Sequence, residues 1–380
     1  MTGAAVLQAA PTYELTLLPT HGGHVTEAYA VNNNGLVVGY GYKSINGNNT
    51  QRGFSYDFQT GDFIDLQGLS SNQQTGMSIA YDVRDNGAIT GVASDWQGFG
   101  YGFVRSPGTT ANGGKLVQGR GTNESGWLVG SHYLTGKAAT LSPSNQVLEL
   151  AALNGGSWGQ LEDINESGLA VGYRYDGSAQ DNRGVIHNVA TGSTLNVQQL
   201  PGFGDDSQLN GINDAGLAVG YVRTDYPYTD HQEQAVVWDA TSTTSPVPVS
   251  LGYLADPPQG RKFNSRAQAI NNDGLVVGVV SILVGQNSLD NRAFLYVDDQ
   301  MMLLENLVSN LDGWVLRQAY DINDAGQIVG TAYKSQVGTR AFILDPEPVE
   351  PEEIIPEPAA LMLLVSGWIV VAPWRRRRCS

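Results

Sequence analysis

Val31-Asn-Asn-Asn-Gly-Leu-Val-Val-Gly39 decides the fold, because the chain writes the same phrase seven times. The other copies are Val83-Arg-Asp-Asn-Gly-Ala-Ile-Thr-Gly91, Thr122-Asn-Glu-Ser-Gly-Trp-Leu-Val-Gly130 and Ile164-Asn-Glu-Ser-Gly-Leu-Ala-Val-Gly172. They continue with Ile212-Asn-Asp-Ala-Gly-Leu-Ala-Val-Gly220, Ile270-Asn-Asn-Asp-Gly-Leu-Val-Val-Gly278 and Ile322-Asn-Asp-Ala-Gly-Gln-Ile-Val-Gly330. Both glycines stand in every copy, and Arg84 alone replaces the Asn that lies three residues before the first of them. The first glycines, at 35, 87, 126, 168, 216, 274 and 326, are 39 to 58 residues apart. A repeat of that length, read before any local structure, points to a solenoid, an array or a propeller.

Each copy is followed by a second apolar phrase, such as Gly53-Phe-Ser-Tyr56, Ala235-Val-Val-Trp238 or Ala341-Phe-Ile-Leu344. A third phrase with spaced leucines follows, as in Phe63-Ile-Asp-Leu66 and Val147-Leu-Glu-Leu150. The pattern predicts four short strands per unit. Strand one ends in Ile-Asn, an Asx-Gly hairpin turns the chain, and Val-Val-Gly, Ala-Phe and the leucines form strands two to four. Four strands in such a unit are the size of a propeller blade. The last repeat stops after its third strand at Leu344-Asp345, and an orphan strand, Tyr13-Glu-Leu-Thr-Leu-Leu18, precedes the first. The expected fold is therefore an all-β, seven-bladed propeller of four-stranded blades over residues 11–345, its ring closed by the N-terminal strand.

Composition agrees with β-structure and narrows the partners. The 380 residues include 47 Gly, and only 15% are charged, so an apolar fraction of 41% is free to fill cores. Asp and Glu outnumber Lys and Arg by 37 to 21, which disfavours nucleic acid, since phosphate neutralisation needs clustered bases. The single cysteine, Cys379, excludes an intramolecular disulfide. Residues 1–10 read as the end of a secretory signal peptide, with Ala9 or Ala10 before the cut.

The C-terminal end reads as three parts. Residues 346–358 are a Pro/Glu linker, residues 359–374 an apolar run, and residues 375–380 an Arg-rich end with Arg375, Arg376, Arg377 and Arg378. As a helix the run would span ~24 Å, short of a hydrocarbon core of ~30 Å, so local thinning and snorkelling arginines would complete a transmembrane segment. The arginines would stay cytoplasmic and the propeller outside.

Two family resemblances follow from these phrases. The repeats resemble the HAF family of extracellular bacterial repeats, with Arg292-Ala-Phe294 and Arg340-Ala-Phe342 at its naming phrase and Arg at the His position. That resemblance implies an exported protein and supplies no catalytic residue. Pro356, Glu357 and Pro358, the apolar run and the Arg block resemble a PEP-CTERM sorting signal, departing from it in Cys379 and Pro373. The resemblance implies an exosortase-type processing partner and a membrane-anchored precursor released to the cell surface.

No catalytic constellation, cofactor motif or metal set is expected. The turn carboxylates Asp85, Glu124, Glu166, Asp214 and Asp324 offer too few oxygens per turn for calcium and read as hairpin chemistry. His21 and His24 lack a third ligand nearby. Asp205, Asp206, Asp230, His231 and Glu233 are acid-rich loop clusters that could serve acid/base work on sugars. The long connections 41–52, 94–101, 154–160, 173–183, 221–234, 255–266 and 310–317 all fall on one face of the expected ring. They carry Trp96, Tyr101, Trp158, Tyr175, Tyr226, Tyr228 and Trp314, which as exposed aromatics would suit stacking on sugar rings. The expected function is a non-enzymatic cell-surface or matrix protein that binds carbohydrate or another envelope protein. A polysaccharide hydrolase or lyase and a purely structural spacer are the alternatives.

Overall fold

The computed structural model describes residues 11–68, 76–94, 100–107, 109, 112–224, 232–254, 264–284 and 288–348. The chain divides into a unit of residues 1–347 and one of residues 348–380, and the second is represented here by residue 348 alone. The apolar run 359–374 and the residues Pro356, Glu357, Pro358 and Arg375 to Arg378 lie outside the described residues. Among the described residues no helix is long and apolar enough to cross a membrane.

The first unit is a ring of seven four-stranded antiparallel sheets. The first strands of the blades are Thr26–Val31, Ser78–Val83, Val117–Thr122, Gly159–Ile164, Ser207–Ile212, Ser265–Ile270 and Val315–Ile322. Residues from all seven line common cavities, so these strands are innermost and surround the axis. Six blades take their strands in chain order; the seventh takes its outermost strand, Tyr13–Leu17, from the other end of the chain. Tyr13 pairs with Pro346, Leu15 with Leu344 and Leu17 with Phe342, so the predicted closure of the ring is the observed one.

The repeated phrase explains each blade. In the first copy the Asn32 side-chain oxygen accepts the amides of Asn34 and Leu36, at 3.1 and 2.8 Å, and Gly35 supplies a φ of 78°. The two valines then face opposite ways. Val37 packs with Val329 and Ile343 of blade 7, and Val38 with Ala80 and Phe103 of blade 2. Among the described residues the core is thus distributed as seven clusters along the ring rather than gathered in one centre.

Two of the expected long loops are hairpins instead. Strands Leu36–Ile45 and Asn48–Asp57 stay paired out to Ile45 and Asn48, and the chain reverses at Asn46-Gly47 with φ of 52° and 81°. Positive φ at both positions is what a two-residue type I′ hairpin turn demands, and Asn-Gly satisfies it at least cost. Strands Leu169–Asp176 and Asp181–Asn188 likewise remain paired to Asp176 and Asp181.

Candidate functional site

The second invariant glycine of the phrase builds the site. Gly39, Gly91, Gly130, Gly172, Gly220, Gly278 and Gly330 each lie opposite a register shift in the innermost strand. A Cβ at Gly172 would lie 2.1 Å from the Gln160 carbonyl oxygen, and one at Gly39 2.0 Å from that of Glu27. Only glycine lets the strands approach there, and the extra residue on the inner strand is pushed out as a β-bulge. The bulged residues are Tyr29, Tyr81, Arg120, Glu162, Asn210, Gln268 and Tyr320, each three residues before the Asn position of its phrase. All seven line one axial cavity of about 270 Å³.

The cavity wall is divided. Tyr320, Tyr29 and Tyr81, from the adjoining blades 7, 1 and 2, form an aromatic arc. Tyr29 stacks on Tyr81 at 5.5 Å between ring centroids and meets Tyr320 edge-on at 4.9 Å. The Arg120 guanidinium sits 3.9 Å over the Tyr81 ring and ends the arc. Glu27, two residues before Tyr29, accepts the Tyr29 hydroxyl at 3.0 Å and lies 3.5 Å from that of Tyr320. Burial and the Glu27 charge together push the Tyr29 and Tyr320 hydroxyls well above the usual phenol range, so both stay neutral donors.

The rest of the wall is polar. Glu162 accepts the amide of Gln160 at 2.9 Å, and Gln208 donates to the Asn210 side-chain oxygen at 3.0 Å. Asn210 is held by the Ala267 carbonyl at 2.7 Å. Burial raises the Glu162 carboxyl above the usual range against the opposing pull of Arg120 and Gln160. Deeper in the channel, Asp82 is pushed up to about 8, by burial first and by Asp163 and Asp321 next. Asp163 and Asp321 rise to about 6, burial again being the main cause. Each of the three bridges blades by accepting a backbone amide of the next: Thr122, Ile212 and Val31, at 2.7, 2.9 and 2.8 Å.

At the turn end of the channel the Asx residues form two hydrogen-bonded belts. In the inner belt Asn165 donates to the Asn213 carbonyl, Asn213 to that of Asn271, Asn271 to that of Asn323 and Asn323 to that of Asn32, all at 2.9–3.0 Å. Asn32 donates onward to the Arg84 carbonyl, and the Arg84 guanidinium, standing where Asn is missing, reaches the Thr122 hydroxyl at 2.9 Å. Asn123 donates to the Asn165 carbonyl and completes the circuit. The outer belt revises the reading of the turn carboxylates. Asp85, Glu166, Asp214 and Asp324 accept the backbone amides of Asn33, Glu124, Glu166 and Asn272 in the preceding blades, at 2.8–3.0 Å, and Glu124 accepts that of Asn86 at 3.3 Å. They join blades rather than cap their own hairpins. Among the described residues no three His, Cys, Asp or Glu side chains are gathered closely enough to hold a metal ion.

The aromatics singled out from the sequence are dispersed, with one exception. Trp158 and Tyr175 stack at 5.0 Å with rings 17° apart, and Tyr173 meets Trp158 edge-on at 5.7 Å. Trp158 is 42% exposed. Tyr101 packs against Tyr133 of blade 3 at 4.5 Å. Trp314 is 9% exposed and belongs to the core between blades 6 and 7. Trp96, Tyr226 and Tyr228, with Asp230 and His231, lie outside the described residues. Of the acid-rich clusters, Glu233 is fully buried between Arg223, at 2.6 Å, and Arg266. Asp206 pairs with Arg223 at 2.9 Å and Asp205 with Arg183. His21 packs edge-on against Phe63 at 5.0 Å. The axial residues went unrecognised in the sequence. The available signal was their fixed offset from the phrase.

Comparison with known proteins corrects the resemblances drawn from the phrases. Three solved structures of low identity are similar in fold. A streptogramin B lyase is 14% identical with a TM-score of 0.48, over 88% of this chain and 98% of that one. A catalytically inactive virginiamycin B lyase from Staphylococcus aureus is 11% identical with a TM-score of 0.48, over 88% and 100%. The propeller domain of the trilobed protease from Pyrococcus furiosus is 9% identical with a TM-score of 0.45, over 90% and 95%. No curated protein matches the sequence. The family whose pattern matches is not the HAF repeat family, and no PEP-CTERM pattern accompanies it; the match is to a protein of unknown function (DUF3466), over residues 205–347, blades 5 to 7.

Proposed function

We propose that this propeller is a non-enzymatic binding protein on the outer side of a membrane, and that its axial cavity takes a neutral carbohydrate ring. The divided wall of that cavity carries the reading. A pyranose has a C–H face that suits an aromatic arc and a rim of hydroxyls that need donors and acceptors together. Tyr29, Tyr81 and Tyr320 supply the first, while Arg120, Glu162, Asn210 and Gln268 supply the second. The lining carries one cation, Arg120, and one carboxyl, Glu162, a balance that favours a neutral ligand over an acidic sugar. Glycoside hydrolysis would need two carboxyls free for separate acid and base roles. Glu27 is instead occupied by tyrosine hydroxyls and Glu162 by Gln160, which supports binding without turnover. The outward placement rests on the apolar run 359–374 with arginines behind it.

The test is a glycan array followed by calorimetry on the purified chain. Neutral glycans should bind, and Tyr81→Ala should weaken binding about tenfold, the worth of one aromatic contact at ~1.4 kcal/mol. An array without a hit, together with retrieval of an envelope protein by the same sample, would replace carbohydrate by protein as the ligand.

A further inference from the structure

We infer that the ligand is a chain rather than a single ring, its end seated in the axial cavity and its next units lying along the inner edge of blade 4 onto the Trp158–Tyr175 platform. The inference rests on the carbohydrate reading above and adds the direction and length of what is bound.

The innermost strand of blade 4, Gly159–Ile164, begins one residue after Trp158 and delivers Glu162 to the cavity. Four residues at ~3.3 Å each place Trp158 ~13 Å from Glu162, within a few sugar units. The space between is lined continuously. Gln160, bonded to Glu162 at 2.9 Å, pairs across the sheet with Tyr173, and Tyr173 touches Trp158 edge-on at 5.7 Å. Polar groups near the cavity therefore give way to aromatic ones toward the rim, so the track offers a sugar chain hydroxyl partners first and C–H stacking surfaces beyond them.

The platform is fixed before any ligand arrives. The Tyr175 amide donates to the Trp158 carbonyl at 2.9 Å, which holds the two rings in register. The adjoining turn is tied down by Asp176, which accepts Asn154, Ser178 and Ala179. A rigid aromatic surface loses little side-chain entropy on binding. A second aromatic run, Tyr29–Tyr40–Tyr42, leaves the cavity along blade 1, but Tyr40 is 8% exposed and offers no face. Trp158, at 42%, is open to solvent.

Calorimetry with glucose, galactose, mannose and N-acetylglucosamine, each as monomer and as 1,4-linked oligomers up to six units, tests the inference. For the sugar that binds, affinity should rise about tenfold from one to three or four units and then level off. Trp158→Ala should abolish the rise while leaving the monomer's affinity within about twofold, and Trp158→Tyr should restore most of it. Retained monomer binding shows that the variant is folded. Equal affinity at all lengths, or a rise that survives Trp158→Ala, overturns the track and leaves the cavity reading intact. Failure of every monomer and oligomer to bind overturns both.

Discussion

Replacing Gly172 by Ala isolates what the second glycine of the phrase does. Its backbone is not in the left-handed region, so the substitution carries no dihedral penalty, only a collision. The new Cβ would meet the Gln160 carbonyl oxygen at 2.1 Å and the Leu161 Cα at 2.6 Å, where ordinary contact begins near 3.4 Å. The two strands must separate by more than 1 Å, or the bulge at Glu162 must be undone. Overpacking of this kind costs ~1–3 kcal/mol, and each ladder bond lost adds ~1 kcal/mol. A loss of ~2–4 kcal/mol should lower Tm by several degrees in a chain of this length. Gly192→Ala is the control. Its φ is 71° and no atom lies within 4 Å of the added Cβ, so only left-handed strain, ~1 kcal/mol, applies. Differential scanning calorimetry should rank Gly172→Ala clearly below Gly192→Ala, and calorimetric titration should show weakened glycan binding only in the former, because Glu162 is withdrawn. Equal Tm values for the two variants, or unchanged binding by a folded Gly172→Ala protein, would refute the link between motif, bulge and site.

Three further outcomes are expected. Deleting residues 11–17 strips the outer strand from blade 7 and uncovers Phe342 and Leu344, both fully buried; with Tyr13 and Leu15 each worth ~1.5–3 kcal/mol, the protein should aggregate or melt well below the full chain in a dye-binding thermal scan. Asn165→Ala removes both the turn bond from Leu169, at 2.9 Å, and the donor to the Asn213 carbonyl, and should cost ~2 kcal/mol in urea titrations; Asn165→Asp keeps the turn acceptor but sets a buried carboxylate oxygen against the Asn213 carbonyl, and should cost at least as much. The folded-state pKa of Asp82 lies above its unfolded value, so its contribution is fully present below about pH 4 and is lost as pH rises through about 8. Tm should therefore decline between pH 5 and pH 9, and Asp82→Asn should flatten that slope.

Most of the architecture was legible in the residues. Asn and Gly at fixed offsets mark hairpins because few other residues satisfy the turn amides and the positive φ, and the unmatched strand Tyr13–Leu17 announced its own partner. The Asn46-Gly47 hairpin was equally legible, but length and polarity made it read as a loop. The candidate site was not. A bulge depends on how many residues oppose one another across two strands, which no single strand's periodicity records. The bulged positions read Tyr, Tyr, Arg, Glu, Asn, Gln and Tyr, so they share no chemistry by which a motif could be noticed. They become a site only when seven blades bring them to one axis. Trp314 and Trp158 show the same limit: both sit in connections on the long-loop side, yet one fills a core and the other faces solvent.

The most direct test of the account is a crystal structure of the chain soaked with the neutral sugar that binds most tightly. Density for a ring in the axial cavity, its C–H groups against the aromatic arc of Tyr29, Tyr81 and Tyr320 and its hydroxyls within hydrogen-bond reach of Glu162, Asn210 or Arg120, is the predicted result. Sugar bound only at the outer loops, with the axial cavity holding water alone, would contradict it.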